Sequence, residues 1–360
     1  MSNSEKETPI VWLVIGDKGG DNAQIAMISN TLGIPVVTKT VLPKAKFVLG
    51  KPFFRPSVKH LDLDRSDPLT APWPDLILTI GRRPAMAALW IQKQSTKNTK
   101  IVLLGRPKRF LKRFSLIIAA SHYQVPEDPR IITLNLPLFT VNKHDIATQG
   151  QAWKTRFEAL PRPTVALMVG GKTDPFRFDA DTAKDLMQSM KTQFDSATVY
   201  ISTSRRTSPA VTDIIKQELP ANWQLFAWGD DSTNNPYRAL LSEADYFVVT
   251  GDSVSMLVEV AQMGKPLAIY ALPNQTSIIA RLKLAATGHG KFSAIIKPIF
   301  GVLQKLGLVG YTRDLTRIHS YLYQQKLAVP LGKEFVPSPG YKDSDALEHV
   351  SRRIKQLLET

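Results

Sequence analysis

The sequence predicts an α/β protein built from two doubly wound domains in tandem. Short, uninterrupted aliphatic runs alternate with helical patterns along most of the chain, and such runs are typical of strands buried on both faces of a parallel sheet. The alternation pauses at a proline-rich junction within Pro137–Pro163 and then starts again. A chain of 360 residues is also too long for one ordinary hydrophobic core and suits two domains of about 100–200 residues each.

The N-terminal half begins with the run VWLVIG (Val11–Gly16), which we predict to be a buried strand followed by a glycine-rich loop. A helix follows, because Ile25, Ile28 and Leu32 recur at helical spacing and Gly33 is a typical helix stop. Further strands are predicted at Pro35–Val41, Leu76–Ile80, Ile101–Leu104, Leu116–Ala119 and Ile131–Leu134.

The second half opens with a predicted helix, Gln151–Pro163, and then repeats the alternation. After Leu272 the pattern loosens into amphipathic pieces between Ile278 and Leu306, and a last helix runs from Asp343 to Leu358. We therefore place an N-terminal domain at 1–145, a C-terminal domain at 146–340 and, at 341–360, a helix that packs back on the N-terminal domain. The predicted strands of the second half are Val165–Val169, Thr198–Ser202, Trp223–Trp228, Tyr246–Thr250 and Leu267–Ala271, and the helices between them are Asp179–Phe194, Pro209–Glu218, Pro236–Glu243 and Val254–Met263.

Composition excludes several classes of function. The chain has no cysteine, so disulfides, thiolate zinc sites and cysteine nucleophiles are all absent. The polar start MSNSEKETPI does not resemble a signal peptide, and no apolar run approaches the roughly 18 residues needed to cross a bilayer. We therefore expect a cytoplasmic protein that is soluble or lies on a membrane surface.

The net charge of +15 is concentrated in three stretches that contain no acidic residue: 39–59, 93–113 and 260–313. Such stretches attract phosphate-rich partners. Because the cations alternate with aliphatic residues and proline rather than forming a nucleic-acid-binding module, we predict no nucleic-acid partner. Two interpretations stay open, a patch that binds an anionic membrane surface and a generally basic solvated surface.

Two loops of the N-terminal half follow predicted strands, where open α/β sheets bind ligands. The first contains Gly19, Gly20 and Asp21, and Asp21 suits either a general base or a helix N-cap. The second contains Arg82 and Arg83, which suit either an acceptor phosphate or an ordinary basic loop. His122, after a third strand, is a further candidate base or a structural histidine. The predicted acceptor-binding residues are Gly19, Gly20, Asn22, Gln24, Arg82 and Arg83, and the predicted catalytic residues are Asp21 and His122.

Two loops of the C-terminal half suit a nucleotide diphosphate. The first, Ser202–Thr207, combines hydroxyl groups with two guanidinium groups, and both bind phosphate well. The second starts a helix with small hydroxyl residues and places Glu259 on its second turn, where a carboxylate could accept hydrogen bonds from both ribose hydroxyls. Caps and solvated charges are the alternative interpretation of each loop. The predicted donor-binding set is Gly170, Gly171, Thr203, Ser204, Arg205, Arg206, Asn235, Tyr237, Asp252, Ser253, Ser255, Met256 and Glu259.

Other chemistries lack support. The G-x-S-x-G elbow of serine hydrolases and the Walker A phosphate loop are both absent from the sequence. Asp62-Leu63-Asp64 mimics a D-x-D metal motif, but it lies in a charged loop that no strand precedes. We expect neither a metal ion nor a cofactor.

Several segments together resemble the bacterial branch of the mitochondrial-fission (elongated mitochondria) family. They are TSRRT, the stretch from Gly229-Asp230-Asp231 to Asn235-Pro236-Tyr237, ALLSEADYFVVTGDSVSMLVEVAQMGKP, PWPDLILTIGRRPA and GDNAQ. The resemblance covers most of residues 10–275. It departs at His122-Tyr123, where the family usually has a His-Asp pair.

The resemblance implies an architecture similar to GT-B glycosyltransferases, with two Rossmann-like domains facing across a cleft. Ala244–Pro266 is similar to the donor-site segment of the N-acetylglucosaminyltransferase that makes lipid II. There a Glu, an Ala and a Gly-x-Pro occupy the places of Glu259, Ala261, Gly264 and Pro266, and the Glu supplies the ribose contact. In the same enzyme a His stands at the position of Asp21.

The function implied is an inverting, metal-independent transfer of a sugar from a nucleotide-sugar donor. A lipid-linked, lipopolysaccharide-type or other cell-envelope acceptor, bound at the inner face of the cytoplasmic membrane, would fit the basic stretches. Two alternatives stay open. One is a nucleotide-sugar 2-epimerase, and the other is a non-catalytic adaptor, since the plant members are associated with recruiting a fission dynamin.

Overall fold

The computed structural model describes residues 8–47, 55–107, 110–139, 141–229, 235–275 and 313–359, and the isolated positions 298 and 302. The described residues form two compact units. Those within Met1–Leu138 and Asp343–Thr360 belong to the first unit, and those within Phe139–Ser293 and Arg313–Lys342 to the second. Apart from the two isolated positions, the amphipathic pieces predicted between Ile278 and Leu306 lie outside the described residues.

Each unit contains a six-stranded sheet in which all neighbouring strands are parallel. The first sheet comprises β1 (Val11–Ile15), β2 (Val36–Thr40), β3 (Leu76–Ile80), β4 (Lys100–Leu104), β5 (Leu116–Ala120) and β6 (Ile131–Leu134), in the order β2-β1-β3-β4-β5-β6. The second comprises β7 (Thr164–Val169), β8 (Thr198–Thr203), β9 (Gln224–Phe226), β10 (Tyr246–Thr250), β11 (Leu267–Tyr270) and β12 (Val329–Pro330), in the order β12-β11-β10-β7-β8-β9. Both orders are doubly wound, which confirms the predicted fold class.

In the second unit an α-helix lies between each pair of consecutive strands, and in the described part of the first unit α-helices connect β1 to β2 and β3 to β4. The α-helices are α1 (Gly19–Thr31), α2 (Arg82–Gln94), α3 (Lys143–Glu158), α4 (Ala180–Gln193), α5 (Pro209–Gln217), α6 (Tyr237–Glu243), α7 (Val254–Met263), α8 (Thr316–Gln324) and α9 (Ser344–Glu359).

The core of the first unit lies on both faces of its sheet, because successive strand residues point to opposite sides. Trp12 and Val14 face one buried cluster, which includes α2. Val11 and Leu13 face the other cluster, to which α1 and α9 contribute. Helix α9 adds buried Val350 and Ile354 and is joined to α1 by a hydrogen bond from Ser351 Oγ to the carbonyl oxygen of Thr31 (3.1 Å).

Helix α3 occupies much of the stretch predicted as a linker, and the predicted boundary at residue 146 falls inside it. Its cap is Asn142, whose side chain accepts from the backbone N–H of Asp145. Gly150 allows α3 to approach α6 closely, since a Cβ atom there would lie 2.2 Å from Ser242 Oγ. The whole helix therefore belongs to the second unit.

Two local predictions differ from the structure. The segment Gly81–Pro84, predicted as a loop, starts α2 at Arg82, and Pro84 is tolerated because it lies in the first helical turn. Gly19 and Gly20, also predicted as loop, form the first turn of α1.

Candidate functional site

A cavity of about 490 Å³ opens at the carboxyl end of the second sheet. Its walls come from the loop after β8, the residues after β9, the starts of α6 and α7, and one side chain of α3. Eight predicted donor-binding residues meet there. They are Thr203, Ser204, Arg205, Asn235, Tyr237, Ser255, Met256 and Glu259, and the remaining lining residues are Gln149, Ser202, Trp228 and Arg238.

The two adjacent arginines of the loop after β8 have different environments. Arg206 donates to Thr173 Oγ1, to Asp252 Oδ2 (3.4 Å) and to Ser253 Oγ (3.3 Å). Arg205 is exposed and lines the cavity, and it makes no hydrogen bond or ion pair with any described residue. Arg205 is therefore available to an anionic ligand, whereas Arg206 is already engaged within the protein.

A buried polar cluster fills the space between the ends of β7 and β10. The side chain of Asp252 is fully buried and accepts from the backbone N–H of Gly171 and the hydroxyl of Thr250, both at 2.8 Å. Thr250 Oγ1 in turn accepts from the backbone N–H of Gly170 at 2.8 Å. Burial raises the pKa of Asp252, although these hydrogen bonds and Arg206 oppose that shift. The cluster joins two neighbouring strand ends.

Gly170 and Gly171 are required by this packing rather than by the approach of a ligand. A Cβ atom on Gly170 would lie 2.2 Å from Ser253 Oγ, and one on Gly171 would lie 2.0 Å from the carbonyl oxygen of Arg206. Five predicted donor-binding residues, Gly170, Gly171, Arg206, Asp252 and Ser253, are thus absent from the cavity lining and support the loops that carry it.

Glu259 and Tyr237 form a half-buried pair in the cavity wall. The Tyr237 hydroxyl donates to Glu259 Oε2 at 2.5 Å, and the backbone N–H of Tyr237 donates to Asn235 Oδ1 at 3.0 Å. Burial raises the pKa of Glu259, and the hydrogen bond from Tyr237 opposes that change. Burial, followed by the nearby charge of Glu259, also raises the pKa of Tyr237. One oxygen of the carboxylate is thereby fixed by the protein.

The first unit has a smaller cavity, of about 80 Å³, between the ends of β1 and β3. Predicted residues Asp21, Asn22, Arg82 and Arg83 line it, whereas Gly19, Gly20 and Gln24 do not. Its complete lining is Gly16, Asp17, Lys18, Asp21, Asn22, Ile80, Gly81, Arg82, Arg83 and Pro84.

Asn22 and Arg83 make internal contacts. Asn22 Nδ2 donates to the carbonyl oxygen of Gly16 at 2.9 Å, which ties α1 to the end of β1. Arg83 forms an ion pair with Asp17 at 3.4 Å. Burial, and to a lesser extent the charge of Arg83, lowers the pKa of Arg82. The cavity therefore combines carboxylate and guanidinium groups.

His122 is separate from this cavity. It lies in the short turn after β5, is 2% exposed and packs against Tyr123 with ring centroids 4.0 Å apart. The structure does not bring it together with Asp21 in the lining of the cavity between β1 and β3.

Four residues of the larger cavity were absent from the predicted donor-binding set, although Ser202 belongs to the loop predicted to suit a diphosphate. Ser202 and Trp228 stand at or just beyond strand ends, and Arg238 directly follows Tyr237, so their positions were a usable signal. Gln149 lies two residues before the helix predicted at Gln151–Pro163, and the structure includes it in α3. Within the described ranges, no group of three or more His, Asp or Glu side chains could hold a metal ion.

Two parallel sheets with separate cavities at their carboxyl ends define an α/β protein of two doubly wound units. The model of the family described as "Mitochondrial fission ELM1" matches residues 19–290. The chain belongs to that family, which confirms the resemblance seen in the sequence.

Two curated relatives are similar over different shares of the chain. Mitochondrial fission protein ELM1 of Arabidopsis thaliana is 27% identical in an alignment of 220 residues that covers 54% of this chain and 51% of the plant protein. The chain thus spans about half the length of that relative. Uncharacterized protein RP120 of Rickettsia prowazekii (strain Madrid E) is 25% identical in an alignment of 332 residues that covers 82% of this chain and 92% of the relative.

The solved structures that resemble the chain include three of distant sequence. The UDP-GlcNAc 2-epimerase of Methanocaldococcus jannaschii has a TM-score of 0.48 at 10% identity, with 97% of this chain and 99% of that one covered. A glycosyltransferase of Rickettsia africae ESF-5 has a TM-score of 0.44 at 14% identity, with 88% and 98% covered. The catalytic domain of starch synthase IV of Arabidopsis thaliana, bound to ADP and acarbose, has a TM-score of 0.45 at 10% identity, with 96% and 99% covered.

Proposed function

We propose that this protein is an inverting, metal-independent glycosyltransferase of the GT-B type. The second unit would hold a nucleotide-sugar donor, and the first would hold a glycan or lipid-linked acceptor. The observation that carries the proposal is the convergence of eight sequence-predicted donor residues, from separate loops, on one cavity of about 490 Å³. This size is within the range of small-molecule sites.

The cavity supplies what a nucleoside diphosphate needs. Arg205 provides a guanidinium group that has no partner among the described residues, and Ser204 provides a hydroxyl group. Helix α7 begins beside the cavity with no side chain capping its N-terminus, so its first N–H groups and its dipole favour negative charge. Glu259 presents a carboxylate to the ribose hydroxyls.

The first unit would supply the general base. In this proposal Asp21, in the first turn of α1, takes the proton of the acceptor hydroxyl while the acceptor oxygen attacks the anomeric carbon. The bond from that carbon to the diphosphate breaks, and the nucleoside diphosphate leaves with an additional negative charge. Arg205 and the N-terminus of α7 stabilise this charge in place of a metal ion.

The test is a thermal-shift panel of UDP, GDP, CDP, ADP and dTDP on the full chain, on Glu259→Gln and on the control Glu348→Gln, a surface position of α9. A nucleotide at 100 times its dissociation constant stabilises the native state by about 2.7 kcal/mol, which raises the melting temperature by several degrees. We expect wild type and the control to respond and Glu259→Gln to respond much less. If no nucleotide shifts the wild type, the proposal is wrong.

The reaction products distinguish a transferase from a 2-epimerase, and the cellular effect of substitutions distinguishes it from a non-catalytic adaptor. A transferase leaves the bound nucleotide sugar intact until an acceptor is added, whereas a 2-epimerase releases an epimer or free sugar from the nucleotide sugar alone. A non-catalytic adaptor would keep its cellular role after Glu259→Gln or Arg205→Gln, whereas a transferase would lose it.

The acceptor side of the proposal includes an anionic membrane surface, at the inner face of the cytoplasmic membrane. A β-bridge between Pro43 and Leu61 holds two segments of the chain together. These segments carry three exposed lysines, Lys44 and Lys46 on the first and Lys59 on the second. Each lysine near an anionic bilayer contributes about 1 kcal/mol, so the three together favour peripheral binding. In the described part of the chain, no helix has the length and apolar character needed to span a bilayer.

A further inference from the structure

Trp228 is a large aromatic side chain that the fold leaves uncovered at the wall of the larger cavity. It is 52% exposed, although the residues just before it, Phe226 and Ala227, are buried. Most of the other residues lining this cavity are polar or charged. An indole exposed in a polar cavity offers an apolar face that the ring of a ligand can cover.

The backbone segment that carries this indole is held by a hydrogen bond and a turn. The N–H of Trp228 donates to Thr203 Oγ1 at 2.8 Å, and Thr203 is itself buried at the end of β8. Gly229 follows with φ of +102°, a conformation that turns the chain away directly after the tryptophan. The backbone that carries the indole is therefore held in place before any ligand binds, which lowers the entropy that binding must overcome.

Two polar side chains line the same cavity without a role in phosphate or ribose binding. Arg238, on α6, pairs with Asp145 at 3.3 Å, and both side chains are more than one-third exposed. Solvent weakens such a pair, so Arg238 can form further hydrogen bonds. Gln149, on α3, adds an amide that can donate and accept.

We propose that Trp228 stacks on the base of the donor nucleotide and that Arg238 and Gln149 recognise the edge of that base. A guanidinium group only donates hydrogen bonds. It therefore favours a carbonyl oxygen at position 4 of a pyrimidine or position 6 of a purine, where cytosine and adenine have amino groups. The ligand class is a diphosphate derivative of uridine, thymidine or guanosine. This inference rests on the proposed function and identifies the base specificity of the same cavity.

The test measures the dissociation constants of UDP, GDP, CDP and ADP by calorimetry on the full chain and on Trp228→Leu, Trp228→Phe and Arg238→Gln. Loss of base–aromatic stacking should weaken UDP or GDP binding about 5- to 150-fold in Trp228→Leu, and Trp228→Phe should retain most of the affinity because a π-face remains. The melting temperature without nucleotide should stay unchanged in these variants. Tryptophan fluorescence provides a second readout, since quenching by the nucleotide should disappear in Trp228→Phe while binding persists.

The outcomes separate this inference from the proposed function. If Glu259→Gln abolished nucleotide binding but Trp228→Leu bound as tightly as the wild type, the stacking role would be overturned. The proposed donor site would still stand. A preference for ADP or CDP, or a base preference unchanged in Arg238→Gln, would overturn the recognition of carbonyl oxygens. Absence of binding by every nucleotide would remove both proposals.

Discussion

Substitution of the two neighbouring arginines after β8 should change different properties, nucleotide affinity for one and stability for the other. Arg205→Gln removes a cation that lines the cavity and has no partner in the described chain. Arg206→Gln removes the partner of the buried Asp252 carboxylate and of Thr173. We therefore expect the first change to weaken nucleotide binding without altering stability, and the second to lower stability without nucleotide.

The magnitudes follow from the environments. A hydrogen bond to a charged group contributes roughly 1.5–3 kcal/mol, so Arg205→Gln should raise the dissociation constant of a nucleoside diphosphate about 10- to 100-fold. Removing one partner of a buried ion pair costs about 3–5 kcal/mol. Arg206 is 48% exposed and Asp252 keeps its bonds from Gly171 and Thr250, so we expect a smaller loss, of about 1–3 kcal/mol.

Urea unfolding without nucleotide and calorimetric titration with nucleotide measure the two effects separately. Both variants conserve side-chain polarity and differ by one position, so each is the control of the other. If both variants lost nucleotide affinity equally and neither lost stability, the distinction between a ligand-binding and a structural arginine would be refuted.

Two further predictions concern pH and membranes. Because burial raises the pKa of Glu259, the protein without nucleotide should lose stability as the pH rises from the ordinary glutamate pKa through the raised one. Nucleotide binding needs the carboxylate, so it should weaken as the pH falls through the same range. Glu259→Gln should show neither change, and pH profiles identical to those of the wild type would contradict this assignment. In a co-sedimentation assay at low salt, the affinity for vesicles that contain phosphatidylglycerol should be about 100-fold higher for the wild type than for the triple variant Lys44→Gln, Lys46→Gln, Lys59→Gln. Equal binding of the wild type to neutral phosphatidylcholine vesicles would rule out the membrane proposal.

The sheets were predictable because their strands are uninterrupted aliphatic runs. β3 and β6 have the predicted bounds, since Leu76–Ile80 and Ile131–Leu134 are flanked by polar residues or glycine. The segment Gly81–Pro84 was predicted as a loop, but α2 begins at Arg82, because proline in the first turn removes no helical hydrogen bond. Helix α3 was predicted to begin eight residues too late, at Gln151 rather than Lys143, because its first half has few apolar residues.

The location of the candidate site was predictable, but the orientation of its side chains was not. Strand ends in a parallel sheet meet at one edge, so loops after β8 and β10 were expected to converge. Whether Arg205 or Arg206 faces the cavity depends on Asp252, 46 residues further along the chain. A glycine can be needed because a ligand approaches it or because another part of the backbone does. The sequence pattern could not show that Gly171 is of the second kind, with the backbone of Arg206 packed against it.

The two switch points of the sheets explain why the cavities differ in size. In the second sheet the strand order reverses between β7 and β10, and the Asp252 cluster fills that position, so the cavity lies further along, beside β8 and β9. In the first sheet the order reverses between β1 and β3, and this position stays open with a volume of about 80 Å³. The smaller cavity is below the 300–1,000 Å³ typical of sites for whole small molecules, whereas about 490 Å³ lies within that range. The difference supports assigning the nucleotide to the second unit and a single hydroxyl or phosphate group of the acceptor to the first.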